Sequence, residues 1–419
     1  MSKKLSGLGH LTIRNLIISY VLLYTIMPIV ARLTSSYLTT YFYMIVVVAL
    51  IILILVIDRP ENLNLYGTFL LPFVVYGLLT VFLTNEDIIM WGYQVVLLWL
   101  PVILGYYFTQ DLSRILSFYP KVIVFALIVT MITTIIGCIR NPNAARELAS
   151  VNSADEISSA YDMMNIGGYS FVYYVVLLYP VLILMYKSKR IRLLPTILIT
   201  IVILFTVVYS EYTTALLLFV FSSVLYFTKR ELSVRGIIFI SVLAVLFALF
   251  FSGVIAGFLH WLADIIGSEA IADRLNALAG GKVGLEASED KRLELYLMSL
   301  NTFFAHPVFG MFINKSGVEG AHSFILDNLA KYGLLGGFCM FYMYKRVFTR
   351  FFLPFKDRPG FGYIVWTFIQ AIILSLVNTG IWLEVLCLFC PILFYWIHGT
   401  GSVDEKEYVI PESNESPAI

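Results

Sequence analysis

The sequence is short of charge. Only 13% of its 419 residues are Asp, Glu, Lys or Arg, while 60% are apolar, and the mean hydropathy is +0.87. Soluble globular domains carry about 25% charged residues, so a water-soluble domain is excluded. A net charge of +1 gives no indication of a nucleic-acid partner, and none is expected. Cysteine is scarce as well: Cys138, Cys339, Cys387 and Cys390 all lie in or beside apolar runs. The "CLFC" pair has CxxC spacing but no basic neighbour to lower a thiol pKa, so these are read as buried small side chains, not a disulfide framework. Asp-x-Asp, the usual divalent-ion motif of sugar-nucleotide transferases, is absent. No internal repeat of fixed period is visible, and no paired glycine-broken spans of the kind seen in inverted-repeat transporters.

What the sequence does have is long apolar runs. An apolar helix of about 20 residues crosses a bilayer core, and twelve candidates are present: 15–31, 38–57, 66–84, 88–108, 121–139, 167–186, 192–209, 212–228, 236–258, 324–345, 361–378 and 380–398. They lack the alternation of barrel strands, and in lipid the backbone must pair within each segment, so helices are expected. The fold class is therefore an all-α polytopic membrane protein with about twelve transmembrane helices. The start, MSKKLSGLGHLTIR, has the outline of a signal peptide but no convincing cleavage site, and is read as leading into a retained first helix.

Basic residues give the orientation. Even-to-odd connections and the termini hold nineteen Lys and Arg against eight on the other side, with Lys331 just inside span ten, so both termini are expected in the cytoplasm. The organisation is then helices one to five (1–139), a first outer loop (140–166), helices six to nine (167–258), a large outer loop (259–323), helices ten to twelve (324–398) and a polar, acidic, disordered tail (399–419). The remaining outer turns are tight ("NED", "SEY", "NTG"). Two long loops in an otherwise compact design point to function on the outer face.

In the second loop, "SEDKRLELYLMSLNTFFAHPVFG" reads as an amphipathic helix, with Ser288, Glu289 and Asp290 suited to its start and "HPVFG" ending it. Arg292, Tyr296 and Ser299 share one face. "GAHSFILDNLAKYGLLGG" follows, placing His322 where loop meets apolar segment. Taken singly, Arg292 reads as a loop arginine pairing with Glu289 or Asp290, and His322 as a satisfied polar residue. Ser323 is placed to cap the next helix or to offer its hydroxyl to a ligand. Asp327 has Lys331 as its i+4 partner, while Gly333 and Gly337 are expected to let span ten approach a neighbour closely.

The two segments together, R-L-E-L-Y-x-x-S-L-x-x-F-x-x-H-P-V-F-G and then G-A-H-S-F-I-L-D-N-L-A-K-Y-G-L-L-G-G, resemble the signature of the O-antigen ligase and polymerase superfamily. The match spans about 50 residues and is nearest to polymerases of capsular and exopolysaccharide repeat units. The resemblance implies a GT-C-like helical bundle with an outer-face active site. It further implies an undecaprenyl-pyrophosphate-linked oligosaccharide as substrate, membrane lipids as surroundings, and partners such as a flippase and a chain-length regulator. No cofactor and no metal are expected. Arg292 would meet the leaving pyrophosphate, because guanidinium is a rigid, permanently charged donor fork. His322 would be the general base for the attacking hydroxyl, or orient the acceptor; an unperturbed imidazole titrates near pH ~6.5.

One position departs from the ligase pattern: Glu211, in "YSEYTT", stands where ligases often carry an arginine. A second cation is then expected from Arg146, Arg140 or Arg274. Arg146 has an alternative in pairing with Glu147 or Asp155. Tyr296 and Ser323 complete the substrate-binding candidates. A glycan ligase of the same superfamily and a lipid-oligosaccharide flippase are the alternatives to a polymerase. Deep ionisable residues, which transport would need, are few, Glu384 being the clearest.

Overall fold

The computed structural model describes residues 15–37, 45–46, 49, 71, 75, 78, 100–105, 118–148, 155–227, 257, 260–261, 263–265, 272, 276, 286–312 and 317–398. Nearly all of the expected spans 38–57, 66–84 and 236–258, most of 88–108, residue Arg274 and the tail 399–419 lie outside the described residues. Among the described residues every regular element is helical, so the all-α reading holds.

Among the described residues, three helices are long and apolar enough to cross a membrane: α3 (Tyr119–Arg140), α6 (Tyr169–Lys187) and α7 (Leu193–Ser210). They match the expected runs 121–139, 167–186 and 192–209 to within two residues. Shorter apolar helices follow at the expected places: α8 (Thr213–Phe227), α11 (Phe361–Val377), and a π-helix (Glu384–Phe389) leading into α12 (Cys390–His398). Central among them is α6. It is apolar on all sides and buried along 83% of its span, against 44% for α3 and 33% for α7. Around it pack α7, α8, α11 and α12. Phe125, Ile132 and Ile136 of α3 and Leu194 and Leu198 of α7 remain exposed, as lipid-facing side chains do.

Polar side chains join these helices where lipid offers no partner. Ser222 Oγ on α8 accepts from Gln370 Nε2 (2.6 Å) and Trp366 Nε1 (3.1 Å) on α11. At the end where the basic residues gather, Arg190 Nε donates to the Ile397 carbonyl (2.9 Å). All four cysteines are buried and free, as expected.

Two expected straight spans are broken. The first divides into α1 (Asn15–Ile26) and α2 (Pro28–Tyr37), bent by 108°. Pro28 cannot donate the hydrogen bond that would continue the helix. Asn165 Oδ1 instead accepts from Ile29 N (3.3 Å) at the start of the second arm. The tenth, α10 (Phe324–Val347), is interrupted at Gly333, whose φ of 60° and ψ of −149° are not helical. At 1.5 Å per residue its arms, 324–332 and 334–347, are about 13 and 21 Å long, each short of a ~30 Å core. Interrupted spans, which the sequence pattern did not show, are thus present among the described residues.

Candidate functional site

The amphipathic helix of the second loop is α9 (Glu286–Ala305), beginning two residues ahead of the expected start and ending before His306-Pro307. Its Ser299 is fully buried. Ser299 Oγ donates to Asp327 Oδ1 (2.6 Å) and accepts from Gly320 N (2.9 Å). The other oxygen of Asp327 accepts from Ser323 N (2.9 Å). One carboxylate thereby ties α9, the 317–323 loop and the start of α10 into a unit. Lys331, its expected i+4 partner, pairs instead with Glu319 (2.7 Å). The carboxylate satisfies two buried donors, a stronger arrangement than an exposed helix-surface ion pair.

The loop runs antiparallel to α9. Thr302 Oγ1 donates to the Val318 carbonyl (2.7 Å), and Gly320 meets Ser299. A Cβ on Gly320 would lie 2.1 Å from the Leu295 carbonyl oxygen, so only glycine permits this approach. Two residues beyond Gly320 is His322; one turn before Leu295 is Arg292. The backbone positions of the two principal candidates therefore come to the same stretch of the molecule. The described part of Arg292 is its backbone, on the helix face that Tyr296 and Ser299 share.

His322 is exposed and follows Ala321, which is held at a φ of 54°. Its Nδ1 lies 2.9 Å from the Ala321 carbonyl oxygen. A carbonyl only accepts, so Nδ1 carries the proton of that bond. In the neutral ring Nε2 is then left with a free lone pair, the arrangement a general base needs.

Of the two roles open to Ser323, it takes the structural one. It is the N-cap of α10, accepting from Leu326 N (3.1 Å), and is fully buried. The Tyr296 hydroxyl donates to the Val377 carbonyl (2.9 Å), tying α9 to the end of α11. Phe324 N donates to the next carbonyl, that of Asn378 (2.8 Å). The close approach expected of Gly333 exists, but its partner is the "HPVFG" turn, not a facing helix. Leu334 N donates to the Pro307 carbonyl (2.8 Å) and Leu335 N to that of Val308 (3.3 Å). The turn thus caps the lower arm of α10, and a Cβ on Gly333 would fall 2.5 Å from Val308 backbone atoms.

In the first loop, Arg140 is exposed at the end of α3, and Arg146 lies in the short α4 (Ala144–Glu147), described as backbone only. Glu147 accepts from the Tyr161 hydroxyl (2.7 Å); that bond, with burial, pushes the Tyr161 phenol above its usual range. Tyr161 and Asp162 belong to α5 (Asp155–Met163), which packs on α2. Burial raises the Asp162 carboxyl, and Arg32 of α2 opposes the shift.

The two loops lie at the same end of the bundle. Tyr212, at the start of α8, donates to the Ala145 carbonyl of the first loop (2.6 Å) and sits edge-on to Tyr169. Tyr169 and Tyr173 reach Trp382, four residues past Asn378. Glu211 is a buried left-handed residue closing α7. Sequence reading did not find Asp327 as hub, nor Asn378 as the partner of Phe324, nor Trp382 beside Tyr169 and Tyr173. The S-x-x-x-D spacing was the available signal for the first; nothing marked the others. The sequence matches no family model and no curated protein.

Proposed function

We propose that this membrane protein is a glycosyltransferase that polymerises undecaprenyl-pyrophosphate-linked oligosaccharide repeat units on the outer face of the cytoplasmic membrane. The observation that carries the reading is the Ser299–Asp327–Ser323 knot, which holds His322 exposed beside the helix position of Arg292. His322 Nε2 takes the proton from the non-reducing hydroxyl of one unit as that oxygen bonds to the anomeric carbon of the next. The C1–O bond to pyrophosphate breaks, and its electron pair leaves with the phosphate. Arg292 stabilises the charge that develops there. Attack opposite the leaving group inverts the anomeric carbon. Arg140, Arg146 and Arg274 are the candidates for a second phosphate contact.

Deletion of the gene in its native cell tests the reading. A surface-polysaccharide ladder that collapses to single lipid-linked repeats supports it; full-length polymer retained on the lipid identifies a ligase. A flippase is the second reading, favoured by the breaks at Met27 and Gly333 and by Glu384 lying within a π-helix. Loss of repeats from the outer leaflet would select it.

A further inference from the structure

Around Tyr169 and Trp382 the structure has features that the catalytic knot does not use. Tyr169, Tyr173, Tyr212 and Trp382 form one aromatic cluster, with ring centroids 4.8 to 6.3 Å apart. Tyr169 and Tyr212 are its half-buried rim, and Trp382 is its buried base, 3% exposed. Two backbone positions bordering the cluster are left-handed although neither is glycine: Glu211 at a φ of 60° and Trp382 at 58°. For a bulky residue such as Trp this is a strained conformation, kept only where the surroundings impose it, and such strain gathers at ligand sites. Among the described residues, three buried polar atoms of these segments have no hydrogen-bond partner: Trp382 Nε1, the Asn378 amide nitrogen and Ser210 Oγ. Two are N–H donors, and the third can donate. Buried donors without acceptors are costly, and a packed interior supplies partners for nearly all of them.

An aromatic face beside unpaired donors suits one class of ligand well. Pyranose rings present C–H faces that pack on aromatic rings, and a rim of hydroxyl and ring oxygens that accept hydrogen bonds. The cluster also bridges the two long loops, since Tyr212 is bonded to Ala145 while Asn378 accepts from Phe324, two residues after His322.

We infer that the Tyr169–Tyr212–Trp382 cluster is a saccharide-binding platform that seats the acceptor repeat unit, with Trp382 Nε1, Asn378 and Ser210 donating to its oxygens. This rests on the polymerase reading and adds to it the site that holds the sugar. The platform recognises rings, not phosphate, so saccharide without its lipid pyrophosphate binds it.

Equilibrium dialysis of the purified full-length protein tests this, using radiolabelled oligosaccharide repeats released by mild acid from the native cell's lipid-linked pool. Wild type and Arg292→Ala are expected to bind equally. Trp382→Phe, which keeps a ring but loses the N–H, and Asn378→Leu are each expected to weaken binding roughly threefold to tenfold. Should either variant fail to fold, as read by thermal unfolding, Ser210→Ala removes an unpaired hydroxyl without disturbing a bond and carries the same expectation. Wild-type affinity in the folded variants, or no saturable binding by wild type, overturns the platform. The polymerase reading falls by a different result, an unchanged polysaccharide ladder in the deletion strain, which leaves this binding measurement intact.

Discussion

Ser299 and Asp327 stand 28 positions apart and share a buried 2.6 Å hydrogen bond, with the Gly320 amide closing on the same serine oxygen at 2.9 Å. The bond fixes the height of the 317–323 loop against α9, and so the place of His322. Ser299→Ala leaves a buried carboxylate oxygen and a buried amide without partners. About 2–3 kcal/mol of stability should be lost, read as a lower unfolding temperature in detergent. Ser299→Thr, which keeps the hydroxyl, should recover most of it. An unchanged midpoint in the alanine variant would show that the knot does not hold the loop.

Gly333 makes a second prediction. Its backbone lies in a region that only glycine enters readily, and Val308 backbone atoms occupy the space of a Cβ. Gly333→Ala should cost at least about 3 kcal/mol and detach the 306–310 turn. Protease cleavage after residues of that turn should become faster. If cleavage and stability match the wild type, the break in α10 is not a fixed feature.

Asp162 gives a pH dependence with a definite sign. Burial raises its carboxyl pKa in the folded protein, with Arg32 opposing. The fold therefore favours the neutral acid. Its contribution is complete below the unfolded value, about 3.9, and is lost as pH rises through the higher folded value. Asp162→Asn should be more stable than wild type at pH 7, with the difference shrinking toward zero as pH falls below the ordinary carboxylate range. A difference that grows with acidity would reverse the assignment.

For Arg292, replacement by Lys separates charge from geometry. Lysine keeps a positive charge but lacks the planar fork, so elongation should fall about 10²-fold while protein abundance is unchanged. Full elongation by the lysine variant would leave only a generic charge at that position.

Much of this arrangement was legible in the sequence. Apolar runs gave α3, α6, α7 and α11 to within two residues, because a helix in lipid is set by composition over its own length. His306-Pro307 gave the end of α9, because proline constrains the residue before it. The breaks at Met27 and Gly333 were not legible. An apolar run looks continuous, and Gly333 reads as a packing glycine until the turn that fills its gap is seen. Asp327 was visible as a helical acid with a lysine one turn later, and local spacing favoured that pair. Tertiary contact with Ser299 decided otherwise, and no pattern within either segment encodes it. Trp382 and Asn378 sit in or beside a tight turn with no motif, so only the fold brings Asn378 to Phe324 and Trp382 to Tyr169 and Tyr173.

The most direct test reconstitutes the full-length protein in liposomes with polyprenyl-pyrophosphate-linked repeat units and follows glycan length and released polyprenyl pyrophosphate together. The account predicts that the wild type builds a ladder and releases one lipid pyrophosphate per added unit, while His322→Ala does neither and remains folded. Substrate returned unaltered by the wild type, or a ladder built by His322→Ala at the wild-type rate, would contradict it.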